Sequence, residues 1–65
     1  MKNMYDVLQL LKKYNIFIYT GDRIGDLDLM EMELRELKNA KILPDNEFYQ
    51  ATLIMRRERR MLLER

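Results

Sequence analysis

An apolar segment, residues 15–22, separates the first two of three amphipathic stretches in this chain. It has the sequence NIFIYTGD, in which four consecutive residues are large and apolar or aromatic. Connecting segments are normally polar because they run over the surface. This connector, as we call residues 15–22, therefore either packs into the core or presents its rings to a partner. Its isoleucines alternate with Phe17 and Tyr19, which favours an extended backbone. We expect extended coil rather than a paired strand.

Apolar residues recur at helical spacing on both sides of the connector. The spacing predicts a first helix over about residues 4–14, with Asn3 as its N-cap. A second helix should begin between residues 22 and 26 and close within residues 39–43. A third should run from Pro44 to near the C-terminus, since proline suits the first helical position.

Each predicted helix has one apolar stripe that can face a shared core. The stripes are Met4, Val7, Leu8, Leu11 and Tyr14 in the first helix; Leu27, Met30, Leu34 and Leu37 in the second; and Phe48, Ala51, Thr52, Met55 and Leu62 in the third. The predicted fold is all-α: a single three-helix domain over residues 1–65, a small bundle with an extended aromatic connector between helices one and two. We expect Tyr14 and Phe17 to be buried and Tyr19 to be partly exposed.

Composition excludes several classes of function. The chain contains no cysteine and no histidine, which excludes disulfides, the common zinc sites and the usual thiol or imidazole catalytic groups. The acids after residue 21 resemble an EF-hand loop only superficially, since Ile24 and Leu27 occupy a ligand position and the glycine position. We therefore expect no enzyme, no metal and no cofactor. Self-association is the remaining way to reinforce so small a domain.

No apolar stretch approaches the roughly 20 residues that span a bilayer, and no signal peptide is evident, so a cytoplasmic chain with no membrane partner is expected. Charge is uneven: residues 22–36 carry six acids and two arginines, and residues 56–65 carry five arginines and two glutamates. This asymmetry reflects either intramolecular pairing or a polarised binding surface.

One arc of the third helix combines an aromatic ring with cations, opposite the core stripe. The residues are Tyr49, Leu53, Arg56, Arg57 and Arg60. A ring beside guanidinium groups can stack on a base and neutralise phosphates, so the arc predicts binding of single-stranded RNA or DNA. Tyr19 and Arg23 are further candidates for this site. Solvated arginines at a helix C-terminus are the structural alternative.

A competing hypothesis is that the chain is an interaction protein, a homo-oligomer or an adaptor for another protein. The third helix should extend about two turns beyond the first, since a helix rises 1.5 Å per residue. Leu53, Met61, Leu62 and Leu63 are the candidate interface, and fraying of the last turn is the alternative. Arg59 falls inside the apolar stripe and should lie beyond the bundle or pair with an acid of the second helix.

Several runs together resemble the YqgQ-like proteins of Bacillus-type bacteria. They are YDV at residues 5–7, FIYTGDR at 17–23, DLDLME at 26–31, ELREL at 33–37, and EF and QA within 47–51. FIYTGD is the specific part of the similarity, which covers nearly the whole chain. The resemblance implies a small cytoplasmic three-helix protein with no assigned enzymatic role and with single-stranded nucleic-acid binding as a suggested function. Departures at Ile24-Gly25 and Pro44-Asp45 affect the helix starts rather than the fold.

Overall fold

The computed structural model describes residues 1–64, which form three helices and no strand: α1 (Met4–Lys13), α2 (Arg23–Asn39) and α3 (Asp45–Leu63). The all-α prediction is confirmed. α3 packs against both other helices, which touch each other far less. Because α3 is the central element, one of its faces is used for packing and the opposite face remains available.

Local chemistry fixes the ends of α1. The Asn3 side chain accepts a hydrogen bond from the Asp6 amide at 3.2 Å, as an N-cap should. The Lys2 amide donates to the Asp6 carboxylate at 2.7 Å, and this hydrogen bond lowers the pKa of Asp6. At the other end, Asn15 has a φ of 60° and the Ile16 amide donates to the Leu11 carbonyl. This left-handed turn terminates α1 one residue earlier than predicted.

The same terminating turn recurs after α2, although a lysine occupies the left-handed position where glycine or asparagine is usual. Lys41 has a φ of 61°, and the Ile42 amide donates to the Leu37 carbonyl at 2.9 Å. The start of α3 differs by one residue from the prediction. Pro44 has a ψ of 143°, so it is extended and precedes the helix, which begins at Asp45.

The core lies where the inner faces of α1 and α2 pack against α3. Its buried apolar residues are Val7, Leu11, Leu27, Met30, Leu34, Leu43, Phe48, Ala51, Ile54 and Met55. Leu43 is fully buried although it lies in a loop and outside every predicted stripe. Leu8, predicted to be in the stripe, is instead 44% exposed, because it lies at the edge of the inner face beside the connector.

The connector forms neither helix nor strand from Ile16 to Thr20, and its residues alternate between half-buried and exposed from Ile16 to Tyr19. This alternation indicates an extended backbone. The segment is attached to the first turn of α2. The Thr20 hydroxyl donates to Asp26 Oδ1 at 2.6 Å and the Thr20 amide donates to the same oxygen at 3.0 Å. This Thr20–Asp26 contact satisfies a carboxylate that is only 7% exposed. Ile16 and Ile18 pack against the core.

The predicted burial of Phe17 is wrong, since this side chain is 71% exposed. Successive side chains of an extended segment point to opposite sides. The two isoleucines occupy the inward side, which leaves Phe17 and Tyr19 pointing outward. Tyr19 is 90% exposed, more than the partial exposure expected, and Tyr14 is half-buried at the end of α1.

Candidate functional site

The outward arc of α3 is exposed along its length. Tyr49 is 56% exposed and Leu53 is 68% exposed. Arg56, Arg57 and Arg60 are exposed as well. The sequence-predicted residues of α3 therefore share one accessible face, which we call the arginine face: Tyr49, Leu53, Arg56, Arg57 and Arg60.

The cations of this face have no carboxylate partner within residues 1–64. Arg57 donates to the Lys2 carbonyl at 3.1 Å, a contact that leaves its charge unneutralised. Arg59, on the inner side of the helix, forms an ion pair with Asp28 of α2, which confirms one of the two placements expected for it. The charges of the face are thus free to attract an anion.

A cavity of about 330 Å³ opens between the arginine face and α2. It is lined by Arg35, Phe48, Tyr49, Thr52, Leu53 and Arg56. A base-sized aromatic group placed there would lie near the side chains of Arg35 and Arg56 and the rings of Phe48 and Tyr49.

Two cations of α2 complete the surroundings of Tyr49. The Arg35 guanidinium lies 5.3 Å from the centre of the Phe48 ring, and Lys38 Nζ lies 5.7 Å from the centre of the Tyr49 ring. Sequence reasoning did not assign either residue to the site. Their positions next to Leu34 and Leu37 on the border of the α2 stripe were the available signal. Arg35 also pairs with Glu31 at 3.6 Å.

Tyr19 and Arg23 are not part of this face. The Arg23 guanidinium forms an ion pair with the Glu58 carboxylate at 2.7 Å. Glu58 follows Tyr49 by nine residues, so the two side chains lie about 180° apart around the axis of α3. Tyr19 and Arg23 line a separate cavity of about 230 Å³ beside α1. The structure therefore divides the predicted nucleic-acid residues between two surfaces.

The predicted interface residues of α3 are also dispersed. Leu53 lies on the arginine face, Met61 and Leu63 are 47% and 68% exposed at the end of the helix, and Leu62 is half-buried against the core.

Within residues 1–64, no helix combines the length and apolar character required to cross a membrane. No three acidic, cysteine or histidine side chains converge there closely enough to hold a metal ion.

Comparison with known proteins agrees with the resemblance seen in the residues. The family model described as YqgQ-like matches residues 1–61. The chain is 34% identical over 58 residues to the uncharacterized protein YqgQ of Bacillus subtilis (strain 168), covering 89% of this chain and 82% of that protein. The chain therefore belongs to the YqgQ-like family.

Proposed function

We propose that the chain is a non-enzymatic, cytoplasmic module that binds single-stranded RNA or DNA on the arginine face and the adjoining side of α2. The observation that carries this proposal is an exposed Tyr49 bordered by arginines that no carboxylate of residues 1–64 neutralises.

Two kinds of interaction would act together on a single strand. Stacking of a base on an aromatic ring contributes about 1–3 kcal/mol and tolerates any base. Guanidinium groups bind phosphate oxygens in a planar, bidentate manner. Arg56 and Arg60 are one helical turn apart and follow Tyr49 along the same face. A strand running along α3 would therefore meet first the ring and then the cations.

Salt dependence tests the phosphate contacts. A fluorescein-labelled oligo-dT or oligo-U is titrated with the full chain at several salt concentrations. Three phosphate contacts, one for each arginine of the face, predict a slope of log K against log salt of about −2; contacts from Arg35 and Lys38 as well would bring it to about −3.5. Absence of binding, or binding indifferent to salt, would overturn the proposal.

A charge-matched pair of variants locates the site. The double variant Arg56→Gln/Arg60→Gln should weaken binding and flatten the salt slope by about 1.4, the contribution of two phosphates on a single strand. Lys12→Gln/Lys13→Gln removes the same charge from α1 and should leave most of the affinity intact. Equal losses in the two variants would indicate that net charge, rather than the arginine face, attracts the strand.

The competing interaction hypothesis makes a different prediction for the same face. If Leu53, Met61 and Leu63 contact a protein, Leu53→Ser should disturb that contact. It should leave the salt slope of oligonucleotide binding unchanged.

A further inference from the structure

The connector presents an unused hydrogen-bonding edge. In an extended chain, the N–H and C=O groups of successive residues point to opposite edges, so that residues two apart share one edge. The amides of Ile16 and Thr20 donate to Leu11 and Asp26, so this edge faces the protein. The amides of Phe17 and Tyr19 belong to the other edge and donate no hydrogen bond within residues 1–64. An exposed edge of this kind is a template for pairing with another extended segment.

Exposed aromatic surface adjoins this edge. Phe17 and Tyr19 are 71% and 90% exposed. At 150–250 Å² for each ring residue, the two side chains expose roughly 250–400 Å². That area is comparable to the largest apolar patch on an ordinary monomer, and two such patches buried against each other would form a small, weak interface.

We propose that the occupant of this edge is the connector of a second copy of the chain, paired antiparallel about a two-fold axis at Ile18. In this register Phe17 faces Tyr19 of the other copy twice. Because both residues point their backbone groups to the open edge, each pair exchanges two hydrogen bonds, and the ladder contains four. The rings of each facing pair lie on the same side of the ladder, where cross-strand aromatic residues contact.

Three properties of the segment fit a second copy. The run from Ile16 to Thr20 carries no charge, so two identical segments approach without like-charge repulsion. The register is self-complementary, which a two-fold interface requires. Asn15 and Gly21, with φ of 60° and 92°, bracket the run and confine the pairing to five residues. An interface this short should give a weak, concentration-dependent dimer.

The dimer is independent of the proposed nucleic-acid binding, because the connector and the arginine face share no residue and line different cavities. Sedimentation velocity of the full chain from about 10 µM to about 1 mM covers the range of weak interfaces. The expected result is a monomer–dimer equilibrium. Over the same range, amide exchange of Phe17 and Tyr19 should slow while that of Ile16 stays constant.

Substitutions in the connector distinguish the contribution of its backbone hydrogen bonds to the dimer from that of its aromatic side chains. Tyr19→Ser removes the ring but keeps the amide donor, whereas Tyr19→Pro removes both. Each should raise the dimer dissociation constant, the proline variant by about tenfold more because the donor is lost in both copies. Phe17→Ser should weaken the dimer without unfolding the chain, as circular dichroism will verify. Tyr49→Ser, an exposed tyrosine away from the connector, is the control and should not alter the equilibrium.

Three results would overturn this proposal. A strict monomer at about 1 mM would do so, as would a dimer unaffected by Phe17→Ser and Tyr19→Pro, which would place the contact elsewhere. The third is a response of the Phe17 and Tyr19 amides to an oligonucleotide with no self-association, which would assign the edge to nucleic acid.

Discussion

Removal of the Thr20 hydroxyl should destabilise the whole domain. In Thr20→Val, the side chain keeps its shape but loses the donor that lies 2.6 Å from Asp26 Oδ1. A hydrogen bond to a charged group contributes about 1.5–3 kcal/mol, and we take about 1.5–2 kcal/mol because Thr20 itself is exposed and water replaces part of the contact. An unfolding entropy of about 2.1 cal/mol/K per residue converts this loss into a melting temperature lower by roughly 10–15 °C for a chain of this size.

Thermal unfolding followed by circular dichroism measures this shift. Thr20→Ser is the matched control, since it keeps the hydroxyl, and it should retain most of the wild-type stability. If Thr20→Val melts within a few degrees of the wild type, the hydroxyl contributes nothing net. The connector would then be held by the packing of Ile16 and Ile18 and by the hydrogen bond from the backbone amide of residue 20 to Asp26.

Two further pairs of variants test backbone and core. Gly25→Ala should stabilise α2 by about 0.5–1 kcal/mol because alanine is the better helix former; its Cβ would come 2.9 Å from the side chain of Asp22, which is exposed and can rotate away. Gly21→Ala should destabilise instead, since Gly21 has a φ of 92°. Urea unfolding compares the two, and a loss of stability in Gly25→Ala would contradict the reasoning. Phe48→Ala, at a side chain 3% exposed, should cost about 3–5 kcal/mol, whereas Phe17→Ala should change the free energy of unfolding by less than about 0.5 kcal/mol. Similar losses in both would mean that Phe17 is packed in solution.

Periodicity predicted the helices well, because each helix has one apolar stripe, and residue preferences located most of the helix ends. Asn15 takes the left-handed conformation that terminates α1, and asparagine tolerates that conformation. Lys41 takes the same conformation after α2, and no residue preference reveals it. There, the burial of Leu43 holds the chain in a turn that lysine does not favour. Because tertiary packing determines the conformation of this loop, local sequence preferences could not predict it.

The connector illustrates a different limit of sequence reasoning. Its alternating pattern predicted an extended backbone but did not reveal which residues face inward. The two isoleucines face inward, and Phe17 and Tyr19 are exposed. Apolar side chains would be buried whether the isoleucines or the two aromatic residues faced inward. The buried Asp26 decides between them by binding Thr20, which sets the rotation of the segment.

The phase of α3 sorts the charges near the C-terminus into two groups. At 100° per residue, Glu58 and Arg59 turn toward the other helices, where Arg23 and Asp28 neutralise them. Arg56 and Arg60 turn away from the acids of α2, so their positive charges are not neutralised by a carboxylate of residues 1–64. Both explanations of the uneven charge therefore apply to α3. Its inner side forms intramolecular ion pairs, and its outer side is a positively charged surface. Reversing the charge of Arg59 would therefore break an ion pair of the fold, whereas changes at Arg56 or Arg60 act on the surface that we propose binds phosphate.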